Sequence, residues 1–419
     1  MPDVEFANLF AVLLTALAAP LALGLVPRLR IPAVVLEIVL GILVGPSVLG
    51  WVEIDLPVQI IALVGLAFLL FLAGLEIDAR RLRGRLLRIA VLGYLATLAI
   101  GTVAGTGFAT LGWVHSPLLV AVTLSATSLG LVVSVLKDAG RADGDLGQTT
   151  IAASSVADFA AVLLLSLLFS TSGGSAGGRV VLLVMFALLV AGTALAIAVA
   201  GRSMRLGEVL LRSQDTTAEI RVRAAVVLLM AFVVLAERFG LESILGAFLA
   251  GAVVGALDRD TATHPRFRVK LEAIGYGFVI PVFFVTSGLR LDLAGLIESP
   301  SALARVPLFL LALLAARGIP ALLYQPSLGL RSSVAAGLLQ ATSLPFIVTA
   351  TQIGVVVGLM DPVTATALVC AGLLSVLLLP ATALGLLSET SDTAGASPGR
   401  LPDESPVGAQ PRTAPRRPI

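Results

Sequence analysis

The chain contains a single cysteine, Cys370, so neither an internal disulfide framework nor a cysteine metal cluster can be built from it. Only two histidines occur, His115 and His264, both expected in loops, where a histidine is more often simply exposed than a pH sensor. No zinc spacing, phosphate-binding glycine loop or nucleophile elbow appears in a usable context, so there is no candidate enzyme active site and no expected cofactor. Charge is scarce as well: 13% of 419 residues are charged, against 58% that are hydrophobic. A soluble fold of this size has too little interior to hide so much apolar surface, which makes the chain an integral membrane protein.

What is present is a long series of apolar runs. Each is about 20 residues, enough to cross roughly 30 Å of hydrocarbon at the helical rise. The expected spans are 5–27, 31–50, 57–77, 86–112, 117–138, 147–170, 179–201, 221–239, 241–258, 272–290, 302–324, 332–357 and 362–387, thirteen transmembrane helices in an all-α fold. With the amino terminus outside, all but five of the 28 Lys and Arg fall at the cytoplasmic side. The exceptions are Arg179, Arg238, Arg290 and Arg305 on the outer side and Arg317 within a span. The first segment has acidic flanks, Asp3 and Glu5, and no convincing cleavage site, so it reads as a retained span. Residues 388–419 are polar and proline-rich and read as a disordered cytoplasmic tail.

The chain also repeats itself. Ala126-Thr127-Ser128-Leu129 returns as Ala341-Thr342-Ser343-Leu344, each followed by a helix breaker, Gly130 and Pro345. Gly41 and Gly45 are echoed by Gly251 and Gly255, and Gly74-Leu75-Glu76-Ile77-Asp78 by Gly288-Leu289-Arg290-Leu291-Asp292. If spans one to six and eight to thirteen are the two copies, the seventh helix inverts the second copy relative to the first. Inverted repeats with interrupted helices are an architecture of secondary transporters, in which the breaks meet near the midplane and bind substrate. Backbone groups released at a break must be buried against protein or line a watery cavity. The glycine pairs are expected to allow close helix packing.

Two charges stand deep in apolar spans: Asp158 in the sixth and Arg317 in the eleventh. A charge at such depth costs a few kcal/mol on insertion scales and is usually retained for a pathway or a partner. The structural alternative for both is an ion pair, and for Arg317 it is the favoured reading, because guanidinium effectively never releases its proton. Arg317 is expected to balance the carboxyl ends of the broken helices, with Asp158 as a transient partner.

Leu29-Arg30-Ile31-Pro32, Gly41-Ile42-Leu43-Val44-Gly45-Pro46, Phe71-Leu72-Ala73-Gly74-Leu75-Glu76, Ser125-Ala126-Thr127-Ser128-Leu129-Gly130 and Leu245-Gly246-Ala247-Phe248-Leu249-Ala250-Gly251 together resemble the sodium/proton exchanger family, of the monovalent cation:proton antiporter-2 type. The likeness covers about residues 5–387. It implies a homodimer in the plasma (cytoplasmic) membrane of a prokaryote, serving pH homeostasis. It also implies a core (86–170 and 302–387) containing two crossed broken helices, a dimerisation scaffold (5–77 and 221–290), a linker helix (179–201) and elevator-like motion. Asp158 falls on the family's ion-binding aspartate and Arg317 on its basic residue near the crossing. The chain departs from the family in having Ala157 immediately before Asp158, where Asn or a second Asp is common.

The chemistry expected is exchange. A buried carboxylate is poised between desolvation, which favours its proton, and nearby positive charge, which favours its ionised form. Asp158 would hold either a proton or Na⁺, with Thr127, Ser128, Ser154, Ser155 and freed carbonyls as further oxygen ligands. Thr342 and Ser343 would satisfy the second break. One such carboxylate beside a permanent Arg317 implies one proton per cation, hence electroneutral exchange; Glu37, within the second span, is the first place to seek a second proton site. K⁺/H⁺ exchange or K⁺ efflux is the nearest alternative, and a sodium-coupled organic anion transporter or a transport-dead sensor the more remote ones. Glu76 and Asp78 read as caps of the third span, and Glu237 and Glu242 as surface charges. Nothing points to nucleic acid.

Overall fold

The computed structural model describes residues 5–25, 32–76, 84–169, 178, 181–182, 184–192, 219–257 and 265–395. The described residues are all-helical. Among the described residues eight helices are long and apolar enough to cross a membrane, or nine if the bent pair Leu330–Gln340 and Pro345–Val356 is counted as one span. The expected spans at 31–50, 221–239 and 241–258 are also helices, but are shorter or more charged: Ala33–Val44, Ile220–Arg238 and Ser243–Leu257. Most of the expected linker helix at 179–201 lies outside the described residues, as do Asp78, His264 and the tail beyond Gly395.

Local chemistry explains the boundaries. Helix α1 is Ala7–Leu25 and α2 is Ala33–Val44. The second stops six residues short of its expected end at 50, because Pro46 confines Gly45 to extended backbone (φ −76°, ψ 176°). Helix α3, Leu56–Leu75, starts at Asp55, whose carboxylate accepts the Val58 N–H, with proline in the first turn. After α4 (Gly84–Thr110), Ser116 caps α5 (Pro117–Ser125) in the same way by accepting the Leu119 N–H. Then follow α6 (Leu129–Asp138), α7 (Asp145–Phe169), α8 (Ile220–Arg238) and α9 (Ser243–Leu257). The tenth expected span is α10 (Pro265–Ile274), a π-helical turn at Gly275–Val279, and α11 (Ile280–Leu289). The short α12 (Leu293–Glu298) is capped by Asp292. Helix α13 (Pro300–Ala321) leads through short turns, α14 (Gln325–Leu328) among them, to α15 (Leu330–Gln340), α16 (Pro345–Val356) and α17 (Pro362–Gly395). The last helix runs past 387, where a disordered tail was expected, because no proline or glycine intervenes before Gly395.

The glycine echoes are the same contact made twice. Gly74 of α3 packs on the Phe248 carbonyl of α9 and Gly251 on the Phe71 carbonyl, so a Cβ on either glycine would overlap backbone. In the second copy Gly288 of α11 packs on the Ile38 carbonyl of α2, and Gly41 on the Val285 carbonyl. Each repeat therefore lends its third helix to the second helix of the other, with small residues permitting backbone approach where lipid gives no hydrophobic drive. Gly275 meets Leu72 while Gly65 meets Val279, so α3 and the Gly275–Leu289 stretch run antiparallel. Their ends, Glu76 and Arg290, thus stand at opposite ends of the molecule.

Candidate functional site

Helices α5 and α6 are interrupted at Ala126–Ser128, and α15 and α16 at Ala341–Leu344. The interruptions touch: Ser128 N–H donates to the Thr342 carbonyl at 2.8 Å. At the first break the α6 amino end releases N–H donors with no helical partner, and Asp158, at the middle of α7, meets them. Its Oδ1 accepts the Thr127 N–H at 2.8 Å and its Oδ2 the Leu129 N–H at 3.3 Å. A carboxylate there satisfies backbone and complements the positive end of the α6 dipole.

The other half of the crossing has a carboxyl end. Gln340 closes α15, and its carbonyl accepts the Thr127 hydroxyl at 2.9 Å and Arg317 Nε at 3.3 Å. Arg317 Nη2 donates in turn to Thr127 Oγ1. Arg317 is only 2% exposed, and these two partners hold it against the negative end of α15. Thr127 thus stands between the two charges, its amide on Asp158 and its hydroxyl between Arg317 and Gln340. Among the described residues no ion pair joins Asp158 to Arg317 directly.

A cavity of ≈ 410 Å³ opens onto this crossing. Asp158, Thr127, Ser128 and Gly130 line it, and so does Glu76 at the end of α3. Glu76 leans over the start of α6: a Cβ on Gly130 would stand 3.3 Å from its Oε1, while its Oε2 is buried without a hydrogen-bond partner. Glu76 does cap α3 as expected, but its side chain faces the cavity beside Asp158. The signal for this was present in the chain, because the first copy of the Gly-Leu motif carries Glu76 where the second carries Arg290, but which way that end points is a matter of packing.

The other expected site residues are placed as follows. Ser128 Oγ is buried without a partner and lines the cavity. Ser154 Oγ is also buried and unpartnered, and Ser155 Oγ donates to the Ile151 carbonyl of its own helix; neither lines the cavity. Thr342 and Ser343 sit at the second break, where Ser343 N–H donates to Ser375 Oγ at 3.2 Å. Glu37 is buried in α2, away from the cavity lining. Glu242, expected on the surface, is half-buried, whereas Glu237 is exposed. Among the described residues no group of three His, Cys, Asp or Glu is arranged to hold a resident metal.

Residues 13–387 match the family model described as "Sodium/hydrogen exchanger, transmembrane". The chain is 30% identical over 369 residues to a putative Na(+)/H(+) antiporter, YjbQ, of Bacillus subtilis, covering 84% of this chain and 58% of that protein. It is 27% identical over 312 residues to the Na(+)/H(+)-K(+) antiporter GerN of Bacillus cereus, covering 70% of this chain and 74% of the other. Among solved structures, the sodium proton antiporter MjNhaP1 of Methanocaldococcus jannaschii at pH 8 has the same fold: TM-score 0.65 at 17% identity, covering 91% of this chain and 98% of that one. These relatives are transporters rather than enzymes. The chain belongs to the sodium/hydrogen exchanger family.

Proposed function

We propose that this protein exchanges Na⁺ for H⁺ across the membrane, with Asp158 as the carboxylate that both ions share. The observation that carries the reading is the placement of Asp158: a carboxylate on the open side of a broken helix, at the foot of a cavity. Its oxygens, Ser128 Oγ and backbone oxygens released at the break form a set of hard donors suited to a hard monovalent cation. When a proton occupies Asp158, the cation loses its charged ligand; when a cation arrives, the proton must leave. Glu76 adds negative charge along the same cavity, which concentrates cations at its mouth. Arg317 stays charged throughout and holds the α15 carboxyl end, so that the crossing keeps its shape as Asp158 changes state.

One exchanging carboxylate gives one proton per cation and electroneutral transport. The cycle alternates access by sliding a core, residues 86–170 and 302–387, against a scaffold formed by 5–77 and 221–290 of a homodimer, with 179–201 as the linker among thirteen spans. The amino terminus lies outside, the carboxyl terminus in the cytoplasm, and the membrane is the plasma membrane. K⁺ in place of Na⁺ is the second reading, favoured by the double specificity in the name of the Bacillus cereus relative. The test is proton flux in liposomes loaded with the purified protein, adding Na⁺, K⁺ and Li⁺ in turn. Flux with Na⁺ that is lost in Asp158→Asn and insensitive to an imposed membrane potential supports the proposal; Na⁺-driven flux that survives Asp158→Asn rejects it.

A further inference from the structure

The two deep charges at the crossing are separated by one residue. Thr127 gives its backbone N–H to Asp158 Oδ1 at 2.8 Å, while its hydroxyl accepts from Arg317 Nη2 and donates to the Gln340 carbonyl at 2.9 Å. Asp158 and Arg317 therefore stand a single residue's width apart, yet among the described residues no ion pair joins them. Opposite charges so deep in a protein attract strongly, because little solvent screens them. Some contact has to hold them apart. Arg317 has two hydrogen-bond acceptors, the Gln340 carbonyl and Thr127 Oγ1, and the carbonyl takes Nε alone. The tyrosines nearby are engaged elsewhere: Tyr94 shares a hydrogen bond with Ser125 Oγ at 3.1 Å, and Tyr324 accepts from Gln340 Nε2 at 3.2 Å. Among the described residues, Thr127 Oγ1 is thus the one acceptor that holds an Nη nitrogen of Arg317.

We infer that the Thr127 hydroxyl insulates Asp158 from Arg317, anchoring the guanidinium so that the carboxylate is left to the proton and the cation alone. This rests on the exchange reading above and names the residue that keeps its carboxylate available. Thr127 is then a positioning residue, whose amide serves Asp158 and whose hydroxyl serves Arg317. The expected transient pairing of Arg317 with Asp158 is what this contact prevents. Without the hydroxyl, Nε stays on the Gln340 carbonyl and the guanidinium pivots toward Asp158, which the Thr127 amide already holds close. A cation would then have to displace a guanidinium as well as a proton. Glu76 and Tyr94 are the other titratable groups within electrostatic reach of Asp158, and neither is hydrogen-bonded to it. Valine fills the space of threonine, so Thr127→Val removes the anchor without opening a cavity.

The test uses full-length protein and a hydrophobic carbodiimide, which adds to protonated carboxyl groups, with labelling of Asp158 read by peptide mass spectrometry across a pH series. A guanidinium beside an acid keeps it ionised, so Thr127→Val should label at Asp158 several-fold less than the parent. Thr127→Ser keeps the hydroxyl and should label like the parent. Thr127→Val combined with Arg317→Gln has no guanidinium to pivot, and should label like Arg317→Gln alone. Liposome exchange adds a second readout: in Thr127→Val the half-saturating Na⁺ concentration should rise roughly tenfold, with a smaller change in maximal rate. Parent-like labelling in Thr127→Val, or a loss of labelling that persists without Arg317, overturns the inference. So does a parent in which Asp158 stays unlabelled at every pH, since its carboxylate would already be held ionised. Labelling needs no flux. If the parent moved no cation while labelling fell in Thr127→Val and returned with Arg317→Gln, the exchange reading would fail and the inference would stand. If the parent exchanged Na⁺ while Thr127→Val labelled normally, the inference alone would fail.

Discussion

The two breaks are built from the same tetrapeptide and satisfied by different chemistry. At the first, Asp158 accepts two backbone N–H groups of the freed α6 end. At the second, Ser375 of α17 takes that part: its Oγ accepts the Ser343 N–H and donates to the Gly372 carbonyl. The second break needs less, because α16 begins with Pro345, which has no N–H to satisfy. The first helix keeps one apolar course from Pro117 to Lys137, whereas the second bends by 44°. A neutral hydroxyl is therefore enough to hold a broken helix in this protein. The carboxylate at the first break exceeds the structural requirement, and it is the one that faces the open cavity.

That comparison breaks first at Asp158. Replacement by Asn keeps an oxygen to accept the Thr127 N–H, and Asn caps helices as well as Asp does, so thermal stability should stay close to the parent's while liposome exchange is lost. A large fall in melting temperature would show that the charge is structural after all. The next largest effect belongs to Arg317. Its removal leaves the buried Gln340 carbonyl short of a donor and the α15 carboxyl end uncompensated, and Arg317→Ala should cost about 3 kcal/mol in unfolding measurements. Arg317→Lys retains the charge but not both contacts and should keep partial exchange.

Proton competition gives the third effect. Since one proton leaves Asp158 for each cation bound, acidification below the titration of the site should raise the half-saturating cation concentration about tenfold per pH unit, and alkalinisation above it should leave that concentration flat. A pH-independent half-saturation, measured by flux across a pH series, would separate the proton from the cation site. The smallest effect is expected at the second break: Ser375→Ala removes one neutral acceptor and should cost about 1 kcal/mol with exchange preserved. Loss of exchange in that variant would mean that the two breaks contribute more equally than their chemistry indicates.

Much of this could be read along the chain. The apolar runs gave the helices of the core within a few residues: 86–112 became Gly84–Thr110, 147–170 became Asp145–Phe169, and 302–324 became Pro300–Ala321 followed by a short turn. Such lengths follow from bilayer thickness, a demand that acts on sequence directly. The breaks were legible because hydroxyls followed by Gly130 and Pro345 interrupt an apolar period. Misread features depended on direction rather than position. Glu76 read only as the cap of α3, with no sign of the cavity it faces, and Ser154 and Ser155 looked like partners of Asp158 because they precede it on α7. A helix places residues three and four apart on one face, yet which face meets the cavity is set by neighbouring helices.

Sequence alone determined that this protein lives in a membrane, that it repeats a motif which interrupts two of its helices, and that Asp158 and Arg317 are its deep charges. All of these follow from composition and periodicity, which one strand of chain carries by itself. Only the tertiary structure decided that Thr127 stands between those charges, that Arg317 serves the α15 carboxyl end, and that Glu76 shares a cavity with Asp158. Those contacts join residues far apart in the chain, and their geometry depends on the close backbone approach that Gly74, Gly251, Gly41 and Gly288 allow.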